Sequence, residues 1–317
     1  MLVHLRLTIP SDLTGELLPR LRDHEYSTNV VVKYGAVIDP TGDLVEFDTP
    51  RESASQIIDE LESVHLAARG AIVLIEVDAA PFEAAQDLDD RAHGDSDDAV
   101  IWDMVLEQVR SGAGFSWSYL TFLVLATSLA AVAVITDSPI LVVGAMVVSP
   151  DFMPVAAIAT GITFGRWRLA LGGLRVLLAG FAGAIALVAV LALVAHALGA
   201  LPTEEVTRNR PLTDFIWQPT LWSLVVALLA GAAGSFALSA SKATTLVGVF
   251  ISITTVPAAG NLAVALALGS GTQAAGSLVQ LGTNIVGMLI AAVVVLTVQR
   301  HLSHPPRDLL RPRRWAR

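Results

Sequence analysis

The sequence predicts a soluble N-terminal α+β domain of ferredoxin-like order, followed by an α-helical integral membrane bundle of six spans built as a 3+3 inverted repeat with two Pro/Gly-broken helices. Three observations carry this expectation. Six apolar runs, each near the ~20 residues that a membrane helix needs, fill the C-terminal two-thirds of the chain. Charge is divided unevenly: residues 1–113 hold 23 Asp/Glu against 8 Lys/Arg, whereas residues 114–317 hold 6 against 12. Two of the six runs are also interrupted by Pro, Gly and polar residues at matching places.

Composition bounds the class. With 54% hydrophobic residues the chain reads as an integral membrane protein rather than a soluble enzyme. The absence of cysteine excludes disulfides, thiolate metal sites and a Cys nucleophile. The opening MLVHLRLTIPSDLTGELLPR has charged residues where a signal peptide needs an apolar core, so residues 1–78 are expected to form a cytoplasmic domain.

In that domain Val3, Leu5, Leu7 and Ile9 alternate with polar residues, the period of a half-buried strand. A helix follows from Pro10-Ser11-Asp12, with Leu13, Leu17, Leu18 and Leu21 on one face. Thr28 to Lys33 is β-branched, and Asp39-Pro40-Thr41-Gly42 turns the chain between two further strand segments. Thr49, Pro50 and Glu52 have the spacing of an N-cap and capping box for a second helix, and Gly70 to Val77 gives the last strand. The resulting β-α-β, β-α-β order is ferredoxin-like, a fold that hosts many functions and assigns none. The domain is expected to oligomerise or to regulate. Residues 79–98 read as an acidic linker, and 99–113 as an amphipathic helix with Ile101, Trp102, Val105 and Val109 on one side.

The six spans are expected at 118–136, 139–164, 175–199, 219–240, 244–268 and 276–299. The domain runs from 114 to 300, and 301–317 form a basic tail. With the N-terminus inside, Arg166, Arg168, Arg175, Lys242, Arg300 and the tail arginines face the cytoplasm. Only Arg208 and Arg210 face away, which is the positive-inside pattern. Trp117, Trp167, Trp217 and Trp222 mark span ends. The small-sided run ALLAGAAGSFALSAS permits close helix contact within or between subunits.

The chemistry concentrates at the two interruptions. Ser149, Pro150, Asp151 and Pro154 lie within six positions of the second run, and Thr254, Thr255, Pro257 and Asn261 interrupt the fifth. A shift of 103 positions places Ser149 on Ser252 and Pro154 on Pro257. Broken helices in hydrocarbon expose backbone groups that must line a cavity or meet another helix, and such breaks are where secondary transporters bind their cargo. Ser149, Pro150 and Asp151 are therefore expected to face Thr254, Thr255 and Asn261 across a polar cavity, with Asn284 completing it. Asp151 is expected to bind a cation or carry a proton. Kinks and cross-helix polar bonds also occur in membrane helices without any transport role.

WSYLTFLVLATSLAAVAVITDSPILVVGAMVVSPDFMPVAAIATGI (117–162), TLVGVFISITTVPAAGNLAVALALG (245–269) and GTNIVGMLIA (282–291) resemble the DUF389 family, an uncharacterised hydrophobic domain of bacterial membrane proteins. Ser149, Pro150 and Pro154 match the first family signature. Asp151 stands where that pattern has an apolar residue, and only Pro257 represents the consecutive prolines of the second. The resemblance implies architecture and supplies no substrate.

The sequence thus favours a transporter or channel for a small solute or ion in a bacterial cytoplasmic membrane, with both termini cytoplasmic. The expected partners are the lipid bilayer, the solute and further copies of the chain, with no nucleic acid and no cofactor. The alternative is a non-transporting scaffold or sensor that signals through its N-terminal domain. No hydrolase signature such as GxSxG or HExxH is present, so enzymatic activity is not expected.

Overall fold

The computed structural model describes residues 2–77, 79–91, 100–203, 208, 210–240 and 255–303. The chain divides into two compact units, 1–105 and 106–317. The division falls a few residues before the charge break at 113, inside a helix whose first turns belong to the N-terminal core.

The first unit follows the expected element order: β1 (Leu2–Ile9), α1 (Ser11–Arg22), β2 (Thr28–Ile38), β3 (Thr41–Pro50), α2 (Arg51–Ser63), the short α3 (Leu66–Arg69) and β4 (Ala71–Glu76). The four strands form one antiparallel sheet, β2-β3-β1-β4. β1 lies inside because its alternating Val3, Leu5, Leu7 and Ile9 present a continuous apolar face. Leu17 and Leu21 from α1 and Ile57, Ile58 and Leu61 from α2 cover that face. On the opposite face His4 Nδ1 lies 2.7 Å from Asp48 Oδ1, which pairs across β1 and β3.

Two local details differ from the sequence expectation. Thr49, expected as a helix N-cap, stays in β3 opposite Val3, because ladder pairing continues to the Leu2–Pro50 pair. Pro50 takes the cap position of α2 without a side-chain cap bond. Within the stretch expected to be linker, Glu83–Arg91 forms a helix, α4, whose Ala85 and Leu88 bury against Leu2, Val77 and Ala80. α5 (Trp102–Gly112) buries Trp102, Val105, Leu106 and Val109, and Ile101 and Met104 join the sheet core.

The second unit is helical. α6 (Trp117–Ile135), α9 (Trp167–Ala197), α10 (Leu221–Ser239) and α12 (Gly271–Ser303) are each long and apolar enough to cross a bilayer. α7 (Pro139–Val148) and α8 (Phe152–Thr163) form a fifth candidate span, bent by 53° at its break. α11 (Thr255–Ala267) is a shorter apolar helix, and the residues before it, including Thr254, lie outside the described set.

The packing is turned outside-in relative to a soluble protein. On α10, Ala227, Ala230, Gly231 and Gly234 are buried, whereas Val225, Leu229 and Phe236 are exposed. Small side chains face neighbouring helices and bulky ones face outward, as lipid contact requires. The contacts are close: a Cβ at Gly231 would stand 2.4 Å from the Met288 carbonyl oxygen, and one at Gly260 would stand 2.7 Å from the Ala131 nitrogen. α11 has no outward face over its length from Thr255 to Ala265, where every residue is buried. It packs among α6, α9 and α12.

Candidate functional site

The break between α7 and α8 follows from three residues. Pro150 disfavours helical geometry in the residue before it, and Ser149 is extended at φ −73°, ψ 132°. Asp151 then occupies the N-cap position of α8. Pro154 is the third residue of α8, where no intrahelical acceptor awaits its missing N–H, so it begins a helix rather than breaking one. Pro257 is the third described residue of α11. α7 and α8 have 10 and 12 residues, about 15 and 18 Å. Together they match the ~30 Å hydrocarbon thickness. The break therefore falls near the middle of the bent pair.

Asp151 is 4% exposed. Ser149 Oγ donates to its Oδ1 at 2.8 Å, and Thr255 Oγ1 donates to its Oδ2 in a short hydrogen bond. The carboxylate at the first interruption is thus held by a hydroxyl on the helix of the second interruption, more than 100 residues away. Its position at the start of α8 also places it at that helix's positive end. Phe152 is buried beside it and fills the space that Gly234 leaves on α10, where a Cβ would lie 2.4 Å from the ring.

The other residues singled out from sequence belong elsewhere. Asn261 follows Thr255 by six positions, about 9 Å along α11, and makes a second polar group. Its Nδ2 donates to Ser277 Oγ at 2.7 Å, and its Oδ1 accepts from Arg210 Nη1 at 3.2 Å. Arg210 Nη2 donates to Gln273 Oε1 at 2.7 Å. Asn284 accepts from Gln280 Nε2 at 3.4 Å, one turn apart on α12. The single cluster expected around Asp151 is therefore resolved into a carboxylate group and a separate guanidinium–amide group, both drawing on α11.

Arg210, Gln273, Ser277 and Gln280 were missed by sequence reasoning. Arg210 counted only as a loop charge, and nothing in its neighbours marks one loop arginine for burial. Tyr119 was also missed. Its hydroxyl is buried without a hydrogen-bond partner among the described residues, against the space beside Gly180.

Long apolar helices with outward bulky side chains, a bent span and polar groups buried between them define a multi-pass membrane protein with a polar interior. Residues 146–290 match the DUF389 family, described as a domain of unknown function. The match takes in both the Asp151 group and the Asn261 group, and it supplies no activity. A curated relative, an uncharacterized protein of Methanocaldococcus jannaschii, is 22% identical over 254 residues, which cover 80% of this chain and 75% of the relative. No solved structure matches.

Proposed function

We propose that the chain is a transporter or channel for a small solute or ion, with its site at mid-membrane where the broken helices meet. The observation that carries this reading is the buried Asp151 carboxylate at the break of one helix, held by Thr255 from another. An intramembrane carboxylate is expensive and is retained where a proton or cation is handled.

The reading takes the membrane domain as six spans in a 3+3 inverted repeat, and helix bounds support it. Trp117 and Leu221, and Trp167 and Gly271, begin corresponding helices 104 positions apart. Ser116 and Thr220 cap the first of each set through their side chains. The turns match as well: Arg166 N bonds Gly161 O at 2.8 Å, and Ser270 N bonds Ala265 O at 2.9 Å. Gly165 and Gly269 both adopt positive φ in those turns. Packing is reciprocal, since α8 rests on α12 while its counterpart α11 rests on α9. Three crossings per set reverse the second set relative to the first, the plan of many secondary transporters.

In this reading the N-terminal ferredoxin-like domain regulates or oligomerises, both termini are cytoplasmic, and the chain resides in a bacterial inner membrane. The decisive experiment is reconstitution of the full chain in liposomes with a panel of ions and metabolites. Flux whose pH dependence Asp151→Asn removes is the expected result. No flux of any panel member would leave the membrane scaffold or sensor as the better reading.

A further inference from the structure

Arg210 stands in the connection between α9 and α10 and is 1% exposed. A guanidinium carries five N–H donors in one plane. Those of Nη1 have Asn261 Oδ1 at 3.2 Å and Val134 O at 3.5 Å, and Nη2 has Gln273 Oε1 at 2.7 Å. All three acceptors are neutral. Nε is buried without a hydrogen-bond partner among the described residues, and Nη2 retains a second N–H beyond the one given to Gln273. Nε and Nη2 together form the side edge of the fork, the geometry on which carboxylates and phosphates are bound through two oxygens.

The acids that act on Arg210 through space are engaged by other donors. Asp137 accepts from Thr213 Oγ1 at 2.7 Å and from Leu212 N at 3.4 Å, and Asp214 accepts from Trp217 Nε1 at 3.1 Å. Arg210 forms no ion pair among the described residues. Gln273 is the third residue of the 33-residue α12, so the guanidinium also lies near that helix's positive end. The C-terminal carbonyls of α6, reached through Val134, supply partial negative charge but no formal anion. A buried cation beside a helix N-terminus, with donors left over and no anion bonded to it, is an incomplete charge group.

We propose that Arg210 and the first turn of α12 form a binding site for a small oxyanion, a carboxylate or phosphate-type group held on the Nε–Nη2 edge. The site shares no partner residue with Asp151 and stands whether or not Asp151 moves a proton. A free anion and the phosphate of a bound lipid offer the same chemistry, and the test separates them.

Full-length protein is purified in dodecyl maltoside, once as extracted and once after exhaustive delipidation. Its thermal unfolding is followed while sodium phosphate, sulfate or acetate replaces sodium chloride at constant ionic strength. A saturable rise in Tm with at least one oxyanion is expected. A rise seen only after delipidation identifies a lipid phosphate as the resident group, whereas a rise in both samples identifies a free anion. Arg210→Lys keeps the charge but loses the side edge, so its apparent Kd rises about tenfold or more. Gln273→Glu supplies the anion covalently: the basal Tm rises and the oxyanion effect disappears. Asp151→Asn responds to the anions as the parent does. No saturable rise in either sample overturns the proposal. So does an oxyanion effect that persists unchanged in both Arg210→Lys and Gln273→Glu.

Discussion

At Gly234 a missing side chain shapes the environment of Asp151, because the Phe152 ring occupies the place a Cβ would take. Gly234→Val forces the ring or the helix to move. It is expected to destabilise the protein by about 1–3 kcal/mol, read as a lower Tm in detergent. Gly172 on α9 is the control, since nothing lies within 4 Å of its Cβ position. Gly172→Ala is expected to be neutral or to stabilise by about 0.5–1 kcal/mol through helix propensity. In the N-terminal unit Leu7, fully buried between sheet and helices, gives the largest expected effect. Leu7→Ala should lower stability by about 2–5 kcal/mol, measured by chemical unfolding of the full chain. Legibility at this scale is uneven. Val3, Leu5, Leu7 and Ile9 announce their burial by alternation alone. Arg210 does not, because a charge in a loop carries no mark of the acceptors that the fold brings to it from α6, α11 and α12.

At the scale of the element, prolines do different work from the one their reputation implies. Pro150 fixes the extended geometry of Ser149, whereas Pro154 sits in the first turn of α8. Pro154→Ala is therefore expected to change stability by less than about 1 kcal/mol. A mid-helix proline would behave otherwise. Gly165, at φ +66°, ends α8 in a conformation that L residues avoid, and Gly165→Ala is expected to cost about 1–2 kcal/mol in Tm-derived stability. The positions of these breaks were legible, since proline and glycine act on the backbone wherever they stand. Two element details were not. Thr49 satisfies every local rule for a helix cap, yet strand pairing across β1 overrides it. Residues 83–91 are too acidic to read as structured, yet Ala85 and Leu88 give one short helix enough apolar surface to dock.

For the whole molecule, the absence of cysteine allows a clean test of topology. In the proposed 3+3 reading Arg166 and Ser270 fall in corresponding turns, and an inverted repeat would place them on opposite faces of the membrane. Arg166→Cys is expected to react with an impermeant maleimide only after permeabilisation, and Ser270→Cys in intact cells. Labelling of both from one side would remove the inversion. The division into a polar and an apolar half was plain from charge and composition. The separation of one expected polar cluster into two was not, because spacing along a sequence does not say which residues share a helix face.

α11 carries a further consequence for how the protein is made. None of its residues from Thr255 to Ala265 has a surface to offer lipid, so this stretch gains its packing only from other helices of the chain. That packing is complete only once α12 has arrived, so chains halted before the final helix are expected to leave these residues uncovered and to be cleared faster by quality-control proteolysis than the full chain.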